Sequence, residues 1–293
     1  MALINLEGAY DLHVHSAPSI FERLGDDVEM ARSAREADMA GLALKVHHEA
    51  TVSRAKLAMS IVPDVELIGT VVLNGYVGGL NPMAAEVHLS QGARIVFMPT
   101  VHALGHYNYY GATGDYVGMQ SSGLKKNVEE PITIFDERGR VNKPTKEIVE
   151  LCKAYNAILG TAHLTKEEIL ALAKTCREMK FKKLLVQHAL YKIMGLEVKD
   201  MQELAKMGAT IEFCTGTFYP LPGMTSPEIM VNAIHSVGAG RCILATDAGS
   251  PRKSLPPETL KVGIYSLQLK GLKEKEVYDL TRTNPSRLLN SKH

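Results

Sequence analysis

Residues 9–15 read AYDLHVH. A short apolar run that ends in His-x-His predicts a buried strand. Alternation turns His13 and His15 to the same face of it. Runs of this kind return seven more times: GLALKVH (41–47), ELIGTVVL (66–73), ARIVFMPT (93–100), AILGTAH (157–163), KLLVQH (183–188), TIEFCTG (210–216) and RCILATD (241–247). Amphipathic stretches at 26–39, 165–179 and 199–208 have helical spacing, and Gly208 is a helix stop before the seventh run. Strands alternating with helices imply a parallel sheet. Eight such units fill the 293 residues, which predicts an α/β (β/α)8 TIM barrel forming one domain over 1–293.

One segment breaks the rhythm. Residues 101–147, after the fourth run, hold VHALGHYNYYGATGDY and then PITIFDERGRV, which reads as a hairpin turning at Asp136–Gly139. An insertion on the C-terminal side of a barrel strand lies on the catalytic face. Its Tyr107, Tyr109 and Tyr110 suit a lid over a substrate or a plain structural loop.

Bulk properties narrow the function. With 33 basic and 32 acidic residues the chain lacks the sustained positive surface that nucleic acid or anionic membrane requires. Cys152, Cys176, Cys214 and Cys242 are scattered without metal-ligand spacing, so reduced thiols are expected. Only Cys214 falls near a strand end. The N-terminal stretch has no basic start followed by an apolar run, and a cytoplasmic protein is expected.

Six of the eleven histidines (His13, His15, His47, His102, His163 and His188) fall at or just past the end of a predicted strand. In a parallel barrel these ends open on one rim, so residues distant in sequence converge. Asp247 ends the eighth run, where an unpaired buried carboxylate would be costly and a metal or histidine partner removes the cost. His13, His15, His163, His188 and Asp247 together make a candidate site for a divalent metal.

This order of ligands resembles the amidohydrolase superfamily, and NPSRLLN (284–290) is similar to the Asn-Pro-x-Arg segment that ends many of those barrels. The resemblance implies a metal held by His13, His15, His163 and Asp247. It makes His188 a second-metal ligand or a polarising group, and Asp247 the proton acceptor from water. It implies one or two ions, zinc first, with manganese or iron(II) as alternatives, and a small-molecule substrate. A homo-oligomer is a family-level expectation.

Two features depart from the pattern. The fourth run ends in Met98, Pro99 and Thr100, without the lysine or glutamate that bridges two metals in many relatives. Instead Lys45 and His47 share a face at the end of the second run. His47 as an extra ligand would resemble the polymerase-and-histidinol-phosphatase family. Lys45 is open to four roles: a bridging carbamate, an ammonium holding a substrate carboxylate, a general acid, or a partner of Asp11 or Glu212. Arg54, His102 and Tyr107 are candidate substrate contacts on rim loops, where His106 also lies. The expected activity is hydrolysis of an amide, lactone or ester, with Asp247, His188 and Lys45 catalytic. The alternatives are a metal-dependent decarboxylase of a small carboxylate, a phosphoesterase, or a binding barrel without catalysis.

Overall fold

The computed structural model describes residues 4–116, 124, 130–218 and 224–291. Its strands are β1 (Tyr10–Val14), β2 (Gly41–Leu44), β3 (Glu66–Ile68), β4 (Thr70–Val72), β5 (Ile95–Phe97), β6 (Ile158–Gly160), β7 (Leu184–Val186), β8 (Thr210–Cys214) and β9 (Cys242–Ala245). Neighbours pair in parallel throughout. β3 and β4 are the two halves of the run at 66–73: the first pairs with β2 and the second with β5, with Gly69 between them. The eight expected staves are therefore present.

The ring closes where the chain beyond β9 meets β1. The Asp247 amide donates to the His13 carbonyl (2.9 Å), and the His15 amide donates to the Ala248 carbonyl (2.8 Å). This approach depends on Gly249, at φ +113°, where a Cβ would lie 1.9 Å from the His15 carbonyl oxygen.

Around the ring run α1 (Asp27–Glu36), α2 (Val52–Ile61), α3 (Pro82–Ser90), α4 (Leu104–Tyr110), α5 (Lys143–Ala154), α6 (Lys166–Glu178), α7 (Val198–Lys206), α8 (Pro227–Val237), α9 (Pro256–Gln268), α10 (Glu274–Tyr278) and α11 (Asn284–Asn290). Local sequence sets their starts. Asp26 with Glu29, and Thr165 with Glu168, form capping boxes for α1 and α6, each worth about 1 kcal/mol. The Asn-Pro-x-Arg segment also has a structural task. Asn284 donates to the carbonyls of Ala239 (2.8 Å) and Cys242 (2.7 Å), and Arg287 to that of Gly240 (2.6 Å), tying α11 to the start of β9.

Within the insertion, Phe135 and Val141 pair across the turn at Asp136–Gly139, as the sequence predicts. Buried Glu168 of α6 anchors this hairpin by accepting from the Thr133 hydroxyl (2.6 Å) and the Ile134 amide (2.9 Å). Residues 117–123 and 125–129 of the insertion lie outside the described residues. Among the described residues no helix is long and apolar enough to cross a membrane.

Candidate metal centre

β1 delivers His13 and His15 to the C-terminal rim, and the turn after β9 delivers Asp247 to the same point. Asp247 Oδ1 lies 3.3 Å from His13 Nε2 and 3.2 Å from His15 Nε2. Donors held about 2.0–2.1 Å from a tetrahedral ion stand about 3.3–3.4 Å apart, so these separations are those of one coordination sphere. The turn carrying Asp247 is pinned from below: buried Asp11 accepts the Thr246 amide (3.1 Å) and the Thr246 hydroxyl. Burial pushes the Asp11 carboxyl up to about 7, against the pull of the Thr246 bonds.

His13 has a defined orientation. Its Nδ1 is 2.9 Å from Glu212 Oε1, and a carboxylate there accepts, so Nδ1 carries the proton and Nε2 turns its lone pair to the centre. The same Glu212 oxygen accepts the His188 amide (3.1 Å) and faces the Cys214 thiol (3.3 Å). Burial, reinforced by Glu212, pushes the Cys214 thiol well up.

His163 is set by a second chain of bonds. His106 Nε2 is 2.8 Å from the Asp115 carbonyl, which can only accept, so that nitrogen bears the proton. Burial lowers His106 to about 4 and keeps the ring neutral, leaving Nδ1 as an acceptor. His163 Nδ1, 3.3 Å away, must donate to it, which frees His163 Nε2 as a lone pair. The two rings lie nearly parallel, and Gly105 makes room: a Cβ there would fall 2.3 Å from the His163 carbonyl oxygen.

His188 stands between the groups, its ring centroid 5.4 Å from His13 and 5.1 Å from His163. Both its ring nitrogens are buried without a hydrogen-bond partner among the described residues, as is His15 Nδ1. Such orphans are costly unless something else binds them. His47 stacks on His15 at 4.9 Å and meets the Thr100 hydroxyl through Nδ1 (2.8 Å). Lys45 Nζ lies 3.1 Å from His13 Nε2 and 4.7 Å from the centre of the Phe97 ring. Burial lowers the lysine to about 8.

The electrostatics favour ligation. Burial lowers His15, His47, His163 and His188 well below the usual imidazole range, leaving the neutral form that binds cations. Burial alone would raise Asp247, but Lys253 and then His13 and His15 hold it well below the usual carboxylate range. Its second oxygen accepts from the Tyr191 hydroxyl (2.7 Å) and faces Lys253 Nζ (3.4 Å). Three residues around this centre hold a positive φ without being glycine: Ala162 (46°), His188 (32°) and Asp247 (52°). Each costs about 1–3 kcal/mol and aims a rim side chain inward. The neutral imidazoles, the ionised carboxylate and the orphaned nitrogens fit a divalent ion.

A cavity of about 380 Å³ is lined by His13, His15, Lys45, His47, His163, His188 and Asp247, the seven residues read from sequence as metal-binding or catalytic. The candidate substrate residues are placed elsewhere. Arg54 is a clamp: its guanidinium binds Asp27 twice (2.7 and 2.9 Å), Glu49 (2.6 Å) and the carbonyls of Ala17 and Pro18. His102 accepts the Gly75 amide through Nδ1 (2.9 Å), and Tyr107 lies exposed on α4; none of the three lines the cavity. The lining instead includes Arg23, Tyr116, Tyr191 and Lys253, which sit in irregular loops and carry no periodic signal. A larger open hollow of about 950 Å³ near Gly8, Tyr265 and Arg282 contains no histidine.

Fold and rim together define a (β/α)8 barrel whose C-terminal rim gathers histidines and an aspartate around one cavity. Similar solved structures include an amidohydrolase from Pseudomonas aeruginosa (11% identity, covering 97% of this chain and 95% of that one, TM-score 0.66). The probable dipeptidase PvdM from the same organism matches with 12% identity, 97% and 94% coverage and a TM-score of 0.64. An organophosphorus hydrolase from Deinococcus radiodurans matches with 11% identity, 98% and 93% coverage and a TM-score of 0.59. At these identities the likeness establishes the fold. No curated protein matches the sequence. The chain belongs to the family described as "Family of unknown function (DUF6282)", whose model matches residues 8–212.

Proposed function

We propose that this chain is a metal-dependent hydrolase of small esters, lactones or amides, with zinc as its ion. The observation that carries this reading is the position of Asp247 Oδ1, at nearly equal distance from the Nε2 atoms of His13 and His15. His13, His15 and Asp247 would hold the ion, with His163 and His188 across the cavity completing its shell or holding a second one. The bound ion supplies Lewis acidity, lowering the pKa of water from about 16 toward 7.

This chain's own groups then divide the work. Asp247 is ionised at neutral pH and accepts the proton of the attacking water. Tyr191 and Lys253 hold its second oxygen, so the accepting oxygen keeps its direction. Burial and the Asp247 charge keep the Tyr191 hydroxyl protonated and able to donate. Asp247 later returns the proton to the leaving group. Lys45, on the cavity wall beside His13, donates to the oxygen that gains charge.

The test is Asp247→Asn in metal-loaded protein, assayed on aryl esters and lactones. Loss of a general base predicts a fall of about 10²–10⁴ in turnover. Unchanged turnover would remove Asp247 from the mechanism. Reaction in heavy-oxygen water separates hydrolysis, which labels the product, from decarboxylation, which does not.

A further inference from the structure

Three arginines, Arg23, Arg54 and Arg252, lie close to this rim, and Arg23 alone among them has a buried guanidinium nitrogen without a partner among the described residues. Arg54 spends its guanidinium on two carboxylates and two carbonyls. Arg23, in the loop between β1 and α1, has a single long bond from Nε to the Ser19 hydroxyl (3.4 Å) and lies 5.7 Å over the Phe21 ring. Its Nη2 is buried with no hydrogen-bond partner among the described residues.

Phe21 in turn meets His47 edge-on at 5.3 Å and Tyr116 at 5.5 Å, which places the guanidinium on the wall of the metal-site cavity. The carboxylates on that wall are Glu22 and Asp247. Neither bonds Arg23 among the described contacts, and both oxygens of Asp247 are engaged, one by His13 and His15 and the other by Tyr191 and Lys253. Arg23 feels the Asp247 charge but bonds no carboxylate among the described contacts, and a buried N–H group left without a partner is expensive to keep. A ligand that brings the anion removes that expense.

We infer that Arg23 is the anchor for a carboxylate carried by the substrate, so that the substrate class is a small carboxylate-bearing molecule. Its paired N–H donors match the two oxygens of a carboxylate, and the cavity of about 380 Å³ limits the ligand to a small one. Arg23 is a specificity residue, distinct from the groups that carry the reaction. The inference takes the location of the reacting bond from the hydrolase reading, but the anchor itself does not require turnover.

The experiment is calorimetric titration of the metal-loaded protein with succinate and with succinamide, its uncharged analogue, for wild type, Arg23→Gln and Arg23→Lys. Succinate should bind wild type more tightly than succinamide. Arg23→Gln should weaken succinate by about 10- to 100-fold, the worth of charge-assisted bonds, and leave succinamide unchanged. Arg23→Lys keeps the charge without the paired donors and should fall between. It also carries the test if the glutamine variant does not fold. Wild-type affinity for succinate in either variant, or no preference for succinate in wild type, overturns the inference. Succinate binding that depends on Arg23, without turnover of any ester or lactone, sinks the hydrolase reading alone.

Discussion

Replacing Glu212 by Gln should weaken metal binding without unfolding the protein. Glu212 touches no bound ion in the proposed arrangement; it acts through His13, whose Nδ1–H it accepts at 2.9 Å. Gln keeps the shape, and its oxygen can still receive the His13 ring and the His188 amide. The amide nitrogen takes the place of Glu212 Oε2, which has no partner among the described residues, so no existing bond is broken. What is lost is charge. A hydrogen bond to an ionised group is worth about 1.5–3 kcal/mol and a neutral one about 1, so the His13 bond loses about 0.5–2 kcal/mol. That is about 2- to 30-fold in affinity. Outer-shell partners of ligating histidines generally contribute about 10–100-fold, so a weakening of about tenfold is expected. Competition against a chromophoric chelator measures it, with the melting temperature of the metal-free variant as control. Equal affinity in Glu212→Gln and wild type would refute the argument that Glu212 sets the His13 tautomer for ligation.

Three further outcomes follow from the geometry. Arg54→Ala should destabilise the fold by about 2–4 kcal/mol, because it takes the counter-charge from Asp27, which keeps the Ser16 hydroxyl, and opens the clamp on Ala17 and Pro18, and thermal unfolding should show it; an unchanged midpoint would contradict the clamp. Gly249→Ala should lower the melting temperature far more than Gly240→Ala, since a Cβ at 249 strikes the His15 carbonyl whereas one at 240 meets nothing within 4 Å; similar losses would argue against closure at Gly249. All four cysteines are buried, with burial raising Cys176 and Cys242 to about 12 and Cys152 and Cys214 also upward, so little thiolate exists at pH 8. A thiol reagent at that pH should find them only after unfolding, and rapid labelling of Cys214 in the folded protein would show that its environment is misread.

The barrel was legible because each strand is an apolar run with a polar end, and the polar ends hold the site. Hydrogen-bonded ladders are shorter than those runs: β6 stops at Gly160 and β7 at Val186, short of His163 and His188. The residues between leave the strand and aim the rim side chains inward through positive φ at Ala162, His188 and Asp247, which the sequence does not display. Arg54 read as a substrate contact because its partner Asp27 lies 27 residues away, and no local pattern links them. Arg23, Tyr116, Tyr191 and Lys253 escaped notice for the same reason, being loop residues placed by the tertiary structure alone. His106 was visible as a rim histidine, but its place behind His163 depends on Gly105 letting α4 pack against the His163 backbone.

The most direct measurement is anomalous diffraction from crystals of the metal-loaded protein, collected on both sides of the metal edge. The account predicts an ion bonded to His13 Nε2, His15 Nε2 and Asp247 Oδ1 at about 2.0–2.2 Å. No anomalous peak there, or an ion bound away from the His13–His15 pair, would contradict it.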